Sequence, residues 1–335
     1  MKKDFSKTLV AAAVVGAMTS GFAGTASAVE YATSHLTVNN FTLTPVTPFT
    51  VQSFTFNLTN TAILNGAAVI QAASCSGTIA VNNCGAAPAV LDAPAAEIPA
   101  GIRGGQNNFA FLGPNNVTAY ASSDSIIRTA ELVTGSPTNT EQIAEVNVAL
   151  NGTASGNSEI QSNTTLSTTL VGGGDFTLTF DADPDMRALI NSLPGTHSAQ
   201  SNLNSSITLT SNTNDAIFIS WSPQGTAGIN DCTVSAAAAG VTCVETFDTQ
   251  DLNRNLGTGT NPSDIDHSFE IANLLTRFGI AVVGLPVDTY SLSLNSVTSA
   301  NVVSLVAAVP EPASIALLGL GLMGMGVGLR RRIRK

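Results

Sequence analysis

The sequence predicts an all-β protein, an antiparallel β-sandwich built as one large sandwich or two smaller ones. Three observations predict it. Apolar and polar residues alternate with a period of two in many short runs, Gly, Asn and Pro punctuate those runs, and the intervening composition is rich in Ser, Thr, Asn, Ala and Gly. Alternation places the apolar set on one face of a sheet and Thr or Ser on the other. Many short runs of this kind, separated by turn residues, favour a sandwich.

The runs follow in order. The first are FTLTPV (Phe41, Leu43), VQSFTFNLT (Phe54, Phe56, Leu58) and EVNVAL (Val146, Val148, Leu150). Then come DFTLTF (Phe176, Leu178, Phe180), SSITLT (Ile207, Leu209), AIFISW (Ile217, Ile219, Trp221) and TYSLSLNSV (Tyr290, Leu292, Leu294). Gly172-Gly173-Gly174 is the best candidate seam if there are two sandwiches. Two segments have helical features. DADPDMRALINSLPG offers Asp183 as an N-cap, Pro184 in the first turn, and Met186, Leu189, Ile190 and Leu193 on one side. SFEIANLLTRFGIAVV fits helix or strand, while 101–108 and 257–263 fit exposed loops. Trp221 is expected in the core, at a strand end, rather than on the surface as a sugar platform.

Both ends differ from this body. Lys2, Lys3 and Lys7 precede an apolar stretch that closes on Ala26-Ser27-Ala28. Small residues at Ala26 and Ala28 predict signal-peptidase cleavage before Val29, so residues 1–28 are expected to be a signal peptide. Residues 29–308 form the expected β-rich extracellular domain. Its five arginines face 21 acids, a formal charge of about −16, and it holds no lysine. Such a field repels nucleic acid and anionic lipid. The missing lysine excludes a Schiff-base mechanism, a P-loop and a Lys–Asn isopeptide bond.

Four cysteines in an exported chain read as disulfides, and three connectivities are open. Cys75–Cys84 and Cys232–Cys243 are favoured, each closing a short hairpin-like loop. Neither pair has zinc-ligand spacing.

Candidate sites in the body are few. Asp181, Asp183 and Asp185 form D-x-D-x-D, but Met186 and Ser192 replace the Gly and Glu of a calcium loop. Acids at a helix N-terminus are the preferred reading. Asp248, Asp251, Asn253 and Asn255 offer a second set of hard oxygens, with Asp264 and Asp266 beside His267. A weak calcium site at one of these sets is the alternative to simple turn formation, and no other cofactor is expected. His35, His197 and His267 are scattered and no G-x-S-x-G occurs, so no enzyme activity is expected.

The C-terminus carries the most specific motif. Pro310 and Pro312 stiffen the chain around Glu311. Ala313 to Leu329 is uncharged and glycine-rich, with Gly324-x-x-x-Gly328, and could span about 25 Å as a helix. Arg330, Arg331, Arg332, Arg334 and Lys335 would hold the tail in the cytoplasm. This order, Val309-Pro310-Glu311-Pro312, an apolar Gly/Leu-rich span, then a basic tail, resembles the PEP-CTERM sorting signal of exosortase substrates in Gram-negative bacteria. The body's ATSHLTVNNFTLTP and DFTLTFDADPDMRALI are loosely similar to surface proteins with such tails.

The resemblance implies that residues 309–335 are a transmembrane sorting helix with its retention tail. It further implies a chain held transiently in the inner membrane, cut near Pro312 by an exosortase, and sent to the cell surface or extracellular matrix, in association with exopolysaccharide and biofilm. A non-enzymatic surface, matrix or adhesion protein is therefore expected. A secreted carbohydrate-binding module and a secreted hydrolase are the alternatives.

Overall fold

The computed structural model describes residues 30–306, apart from 47–48, 79–82, 85–89, 115–117, 130, 133–135, 149–151, 169–173, 191–194, 214–215, 227–228, 259–265 and 271–274. The described residues form strands and connections, with no helix among them.

In chain order the strands begin with β1 (Glu30–Pro45), β2 (Phe49–Leu64), β3 (Ala67–Gly77), β4 (Val90–Ile98), β5 (Tyr120–Arg128) and β6 (Thr138–Val148). Next are β7 (Gly152–Thr168), β8 (Gly174–Ile190), β9 (Gly195–Ser211), β10 (Ile217–Trp221) and β11 (Cys232–Val234). The last are β12 (Thr242–Phe247), β13 (Asn255–Thr258), β14 (Asp266–Glu270), β15 (Thr276–Leu285) and β16 (Thr289–Val306).

They make two antiparallel sheets. One has the order β12-β15-β8-β1-β6-β5-β4, with β14 also on β8. The other has the order β11-β10-β9-β16-β7-β2-β3, with β13 also on β9. Opposed strands share a rank in the two orders, so β8 faces β9, β1 faces β16, and β6 faces β7. Both sheets draw strands from before and after Gly172–Gly174, so the glycines do not divide two sandwiches.

Alternation runs through the long strands, and a bulge repairs it where it slips. In β1, Leu36 and Val38 are buried, and so are Phe41 and Leu43, which have the opposite parity. Pairing with both neighbours shifts between Val38 and Thr42, where Asn40 takes a φ of 57°. The bulge returns the apolar set to the inner face. Asn65-Gly66, both at positive φ, close the β2–β3 hairpin.

The stretch with helical features, Asp181 to Ile190, is the second half of β8. Ala182, Met186, Ala188 and Ile190 are buried in alternation with Asp181, Asp183, Asp185, Arg187 and Leu189 on the other face. Small alanines complete a strand face that large residues alone do not reveal. Pro184 is tolerated because one flanking ladder breaks around it: β15 pairs up to Ala182 and β14 resumes at Asp185. The second ambiguous segment supplies β14 and β15.

The core has two characters. Toward one end, Phe180 stacks on Phe278 with centroids 5.0 Å apart and meets Phe41 and Trp221. Toward the other, the layer is mostly alanine: Ala32, Ala62, Ala121, Ala144, Ala154, Ala188, Ala199 and Ala300. Here serines face inward, contrary to the expectation that Ser and Thr cover the outer faces alone. Ser34 donates to the Asn202 carbonyl (2.8 Å), Ser201 to the Thr33 carbonyl (2.5 Å) and Ser123 to the Thr61 carbonyl (3.0 Å), each across the sheets. Gln142 donates to Ser296 (2.7 Å) and Ser125 to Asn60 (2.8 Å) in the same way.

Both expected disulfides are present, with Cα–Cα distances of 5.2 Å for Cys75–Cys84 and 5.9 Å for Cys232–Cys243. They do not close hairpins. Cys232 lies on β11 and Cys243 on β12, the facing edge strands at one side of the sandwich. Cys75 lies on β3, and Cys84 is on the path to β4 at the other side. Each ties a crossover between sheets.

A Cβ placed on Gly156 would lie 2.8 Å from the Ser122 carbonyl oxygen in the facing sheet. Gly156→Ala is therefore expected to destabilise the fold by about 1–3 kcal/mol, seen as a lower urea midpoint at unchanged m-value.

Candidate functional site

The two ends of the described chain meet at one pole of the sandwich. Glu30 opens β1 and Ser304 lies near the end of β16, in the facing sheet. His197, on β9, joins them: its Nδ1 is 2.9 Å from Glu30 Oε1 and 3.3 Å from Ser304 Oγ. All three are buried. Burial raises the Glu30 carboxyl above its ordinary range, with Ser304 and His197 opposing that rise. Serine and carboxylate approach the same ring nitrogen, so the group does not form a Ser–His–acid relay, in which the two must occupy opposite nitrogens. Val309, Pro310, Glu311 and Pro312, the basic residues Arg330, Arg331, Arg332, Arg334 and Lys335, and Ala26, Ala28 and Val29 lie outside the described residues. β16 nonetheless delivers the chain to the motif from this pole.

A family model for the PEP-CTERM protein-sorting motif matches residues 308–332. The chain thus carries a PEP-CTERM sorting motif near its C-terminus. The motif implies an exported protein that is processed by an exosortase. Neither a curated protein nor a solved structure matches the chain. Among the described residues, no helix is long and apolar enough to cross a membrane.

In the body ahead of the motif the D-x-D-x-D acids lie along β8 on the outer face of their sheet, on alternate residues rather than wrapped in a loop. Asp181 accepts a bond from Asn40 Nδ2 (2.9 Å). Asp185 pairs in register with His35 on one side and Glu270 on the other. Burial, and then Glu270, push its carboxyl to about 6.

The second set is split. Asp251 Oδ1 accepts from the Asn253 amide (2.7 Å), Asn253 Oδ1 accepts from the Ser205 amide (3.1 Å), and Asn255 begins β13. These contacts shape the loop. Asp248 instead meets two acids that the sequence reading did not single out. Carboxylate oxygens of Asp231, Glu245 and Asp248 all lie within 4.8 Å of one another. This is the described group that could hold a divalent cation. Glu245 also accepts from Trp221 Nε1 (2.5 Å), and Trp221 is fully buried, as expected. Burial raises Asp248 to about 6, with Glu245 and Asp231 adding to the rise.

A buried charged cluster on the outer face was also missed. The connection from β4 to β5 folds back over β5, β6 and β1. Arg103, expected in an exposed loop, is only 3% exposed. Its Nη2 meets Glu145 Oε2 at 2.7 Å, its Nε donates to Ser122, and its Nη1 donates to the carbonyls of Asn108 and Ala110. Glu145 accepts further bonds from Tyr31 Oη (2.7 Å) and from the amides of Leu112 and Gly113. The pair is well satisfied, which a buried ion pair requires. The only sequence signal was an arginine among glycines in a chain with few cations.

Asp124 lies under the same connection, fully buried, accepting from the amides of Asn107 and Ser125. Burial pushes its carboxyl to about 6, despite those bonds. The folded chain thus takes up this proton as pH falls through about 6, whereas the unfolded chain waits until about 4. This carboxyl's contribution therefore favours folding at pH 4 and is lost as pH rises to 6. In urea titrations across that window, Asp124→Asn is expected to remove part of the wild-type decline. Parallel curves would contradict the assignment.

Proposed function

We propose that this is a non-enzymatic surface or matrix protein, delivered by its sorting motif and then freed from its membrane tail. The PEP-CTERM match at residues 308–332 carries this reading. A body closed at both sides by disulfides suits an oxidising extracellular setting. The proposed partners are a signal peptidase and an exosortase during maturation, with exopolysaccharide or an adhesion surface afterwards. The intact mass of the protein from its native host tests the processing. A chain from Val29 to about Pro312, four hydrogens lighter than its reduced form, is expected. A mass that retains Arg330 to Lys335 would sink the proposal.

A saccharide-binding role is the second reading, and one cleft favours it. On the outer face of the β8 sheet, Tyr31, Phe111, Asp185, Arg187, Asp266 and Glu270 line a space of about 330 Å³. Phe111 is 42% exposed, and Arg187 and Asp266 form a two-bond pair at its rim. An open aromatic ring beside fixed carboxylates offers stacking and hydroxyl recognition together. Phe111→Ala should weaken retention in gels containing host exopolysaccharide by several-fold, about 1 kcal/mol, with the unfolding midpoint unchanged. Unaltered migration would remove this reading.

A further inference from the structure

We infer that β3 is a self-association edge, and that its partner is the β3 of a second copy of this chain. The inference is independent of the sorting and saccharide readings.

β3 is the last strand of its sheet. Its ladder with β2 runs without a register shift from Phe54↔Gly77 to Leu64↔Ala67. The far side of the strand can be assigned by parity. The Ser76 amide donates to Asn83 Oδ1 (2.6 Å) and the Ser76 carbonyl accepts from the Asn83 amide (3.3 Å), so Ser76 points its backbone away from β2. In an antiparallel ladder every second residue does the same. Ala68, Ile70, Ala72 and Ser74 therefore present their N–H and C=O groups outward, and no described residue pairs with them.

The other lateral edges are blunted. β4 contains Asp92, Pro94 and Glu97 and a register shift between Ala93 and Ala96. β12 carries Glu245 and a shift between Glu245 and Phe247, and β11 is three residues long. Charge, proline, bulges and shortness are the usual devices against edge pairing. β3 has none of them. Ile70 stands on it 66% exposed.

Charge selects the occupant. The body carries about −16, so two copies repel over most of their surface. From Leu36 to Leu91, which includes all of β2 and β3, there is no charged residue. This edge is where one acidic body can approach another without opposing like charges. An antiparallel pairing about a two-fold axis at Gln71 sets Ile70 opposite Ala72 of the second copy and Ala68 opposite Ser74. All four outward residues are then used, with about eight backbone hydrogen bonds, two for each hydrogen-bonded pair. The two Ile70 side chains become diagonal neighbours on the outer face.

The test uses the processed protein recovered from its host. Sedimentation velocity over about a hundredfold range of concentration should show a monomer–dimer equilibrium. Ala72→Pro and Ile70→Lys should each weaken it by about tenfold or more, because both block an edge. Neither removes a bond within the chain, so their unfolding midpoints should match wild type. Val244→Lys, on β12, should leave the dimer intact. Gln71→Cys fixes the register: non-hydrogen-bonded partners lie about 4.5 Å apart at Cα, within disulfide reach. Mild oxidation should give a dimer linked through that position on both chains. A wild-type monomer throughout, a dimer indifferent to both β3 variants, or crosslinks only to other proteins would overturn the inference.

Discussion

The close approach of the two sheets at the alanine end is the constraint on which the rest of the molecule depends. Gly156 leaves no room for a methyl group against Ser122, and Ala32, Ala62, Ala144 and Ala300 set the spacing around it. At that distance a hydroxyl on one sheet reaches a carbonyl on the other. Ser34, Ser123 and Ser201 do so. Burying a hydroxyl is costly unless it is bonded, and here each of these donors has an acceptor across the interface. A chain this rich in Ser, Thr and Asn can therefore fill much of its interior without large side chains. The aromatic cluster around Phe180 and Trp221 supplies a more ordinary core at the other end.

Much of this architecture was legible in the sequence, because antiparallel strands advertise themselves by period two. The all-β class, both disulfides and the buried Trp221 follow from local pattern and from compartment. What was hidden depended on residues that pattern rules discount. Asp181 to Ile190 carries both periods at once: Met186, Leu189 and Ile190 fit a helix, while Ala182, Met186, Ala188 and Ile190 fit a strand. The neighbours β1, β14 and β15 decide in favour of the strand. The Arg103–Glu145 pair joins residues 42 apart in sequence on separate elements, and no spacing rule connects them. The same holds for Asp231, Glu245 and Asp248, which a crossover between sheets brings together. The sorting motif is the opposite case, since its order along the chain is itself the signal.

The disulfides are informative through where they sit. A sandwich is weakest at its lateral sides, where edge strands have one neighbour and the two layers can part. Cys232–Cys243 joins the facing edges β11 and β12, and Cys75–Cys84 fastens the crossover from β3 toward β4. Short closed loops of 9 and 11 residues restrict the unfolded chain modestly, by about 2–3 kcal/mol each in the loop-entropy account. Their placement also resists local opening at the two sides. Reducing conditions should thus act first on the edges rather than on the alanine seam.

The geometry of the pole bears on how β3 could pair. Glu30 and Ser304 share one end of the sandwich, and the sorting motif follows directly after β16. β3 lies parallel to the long axis, with its first residues beside the same end, since Leu64 pairs with both Ala67 and Ala154, and Gly152 pairs with Ser304. A two-fold antiparallel pairing of β3 with β3 reverses the second copy, so the two poles point in opposite directions. In the proposed membrane-held precursor, two copies standing with this pole against the membrane cannot pair in that way. Copies lying along the membrane, with the two-fold axis normal to it, can, and so can copies freed of their tails. The pairing therefore constrains how the body stands on a membrane and is not forbidden by anchoring itself.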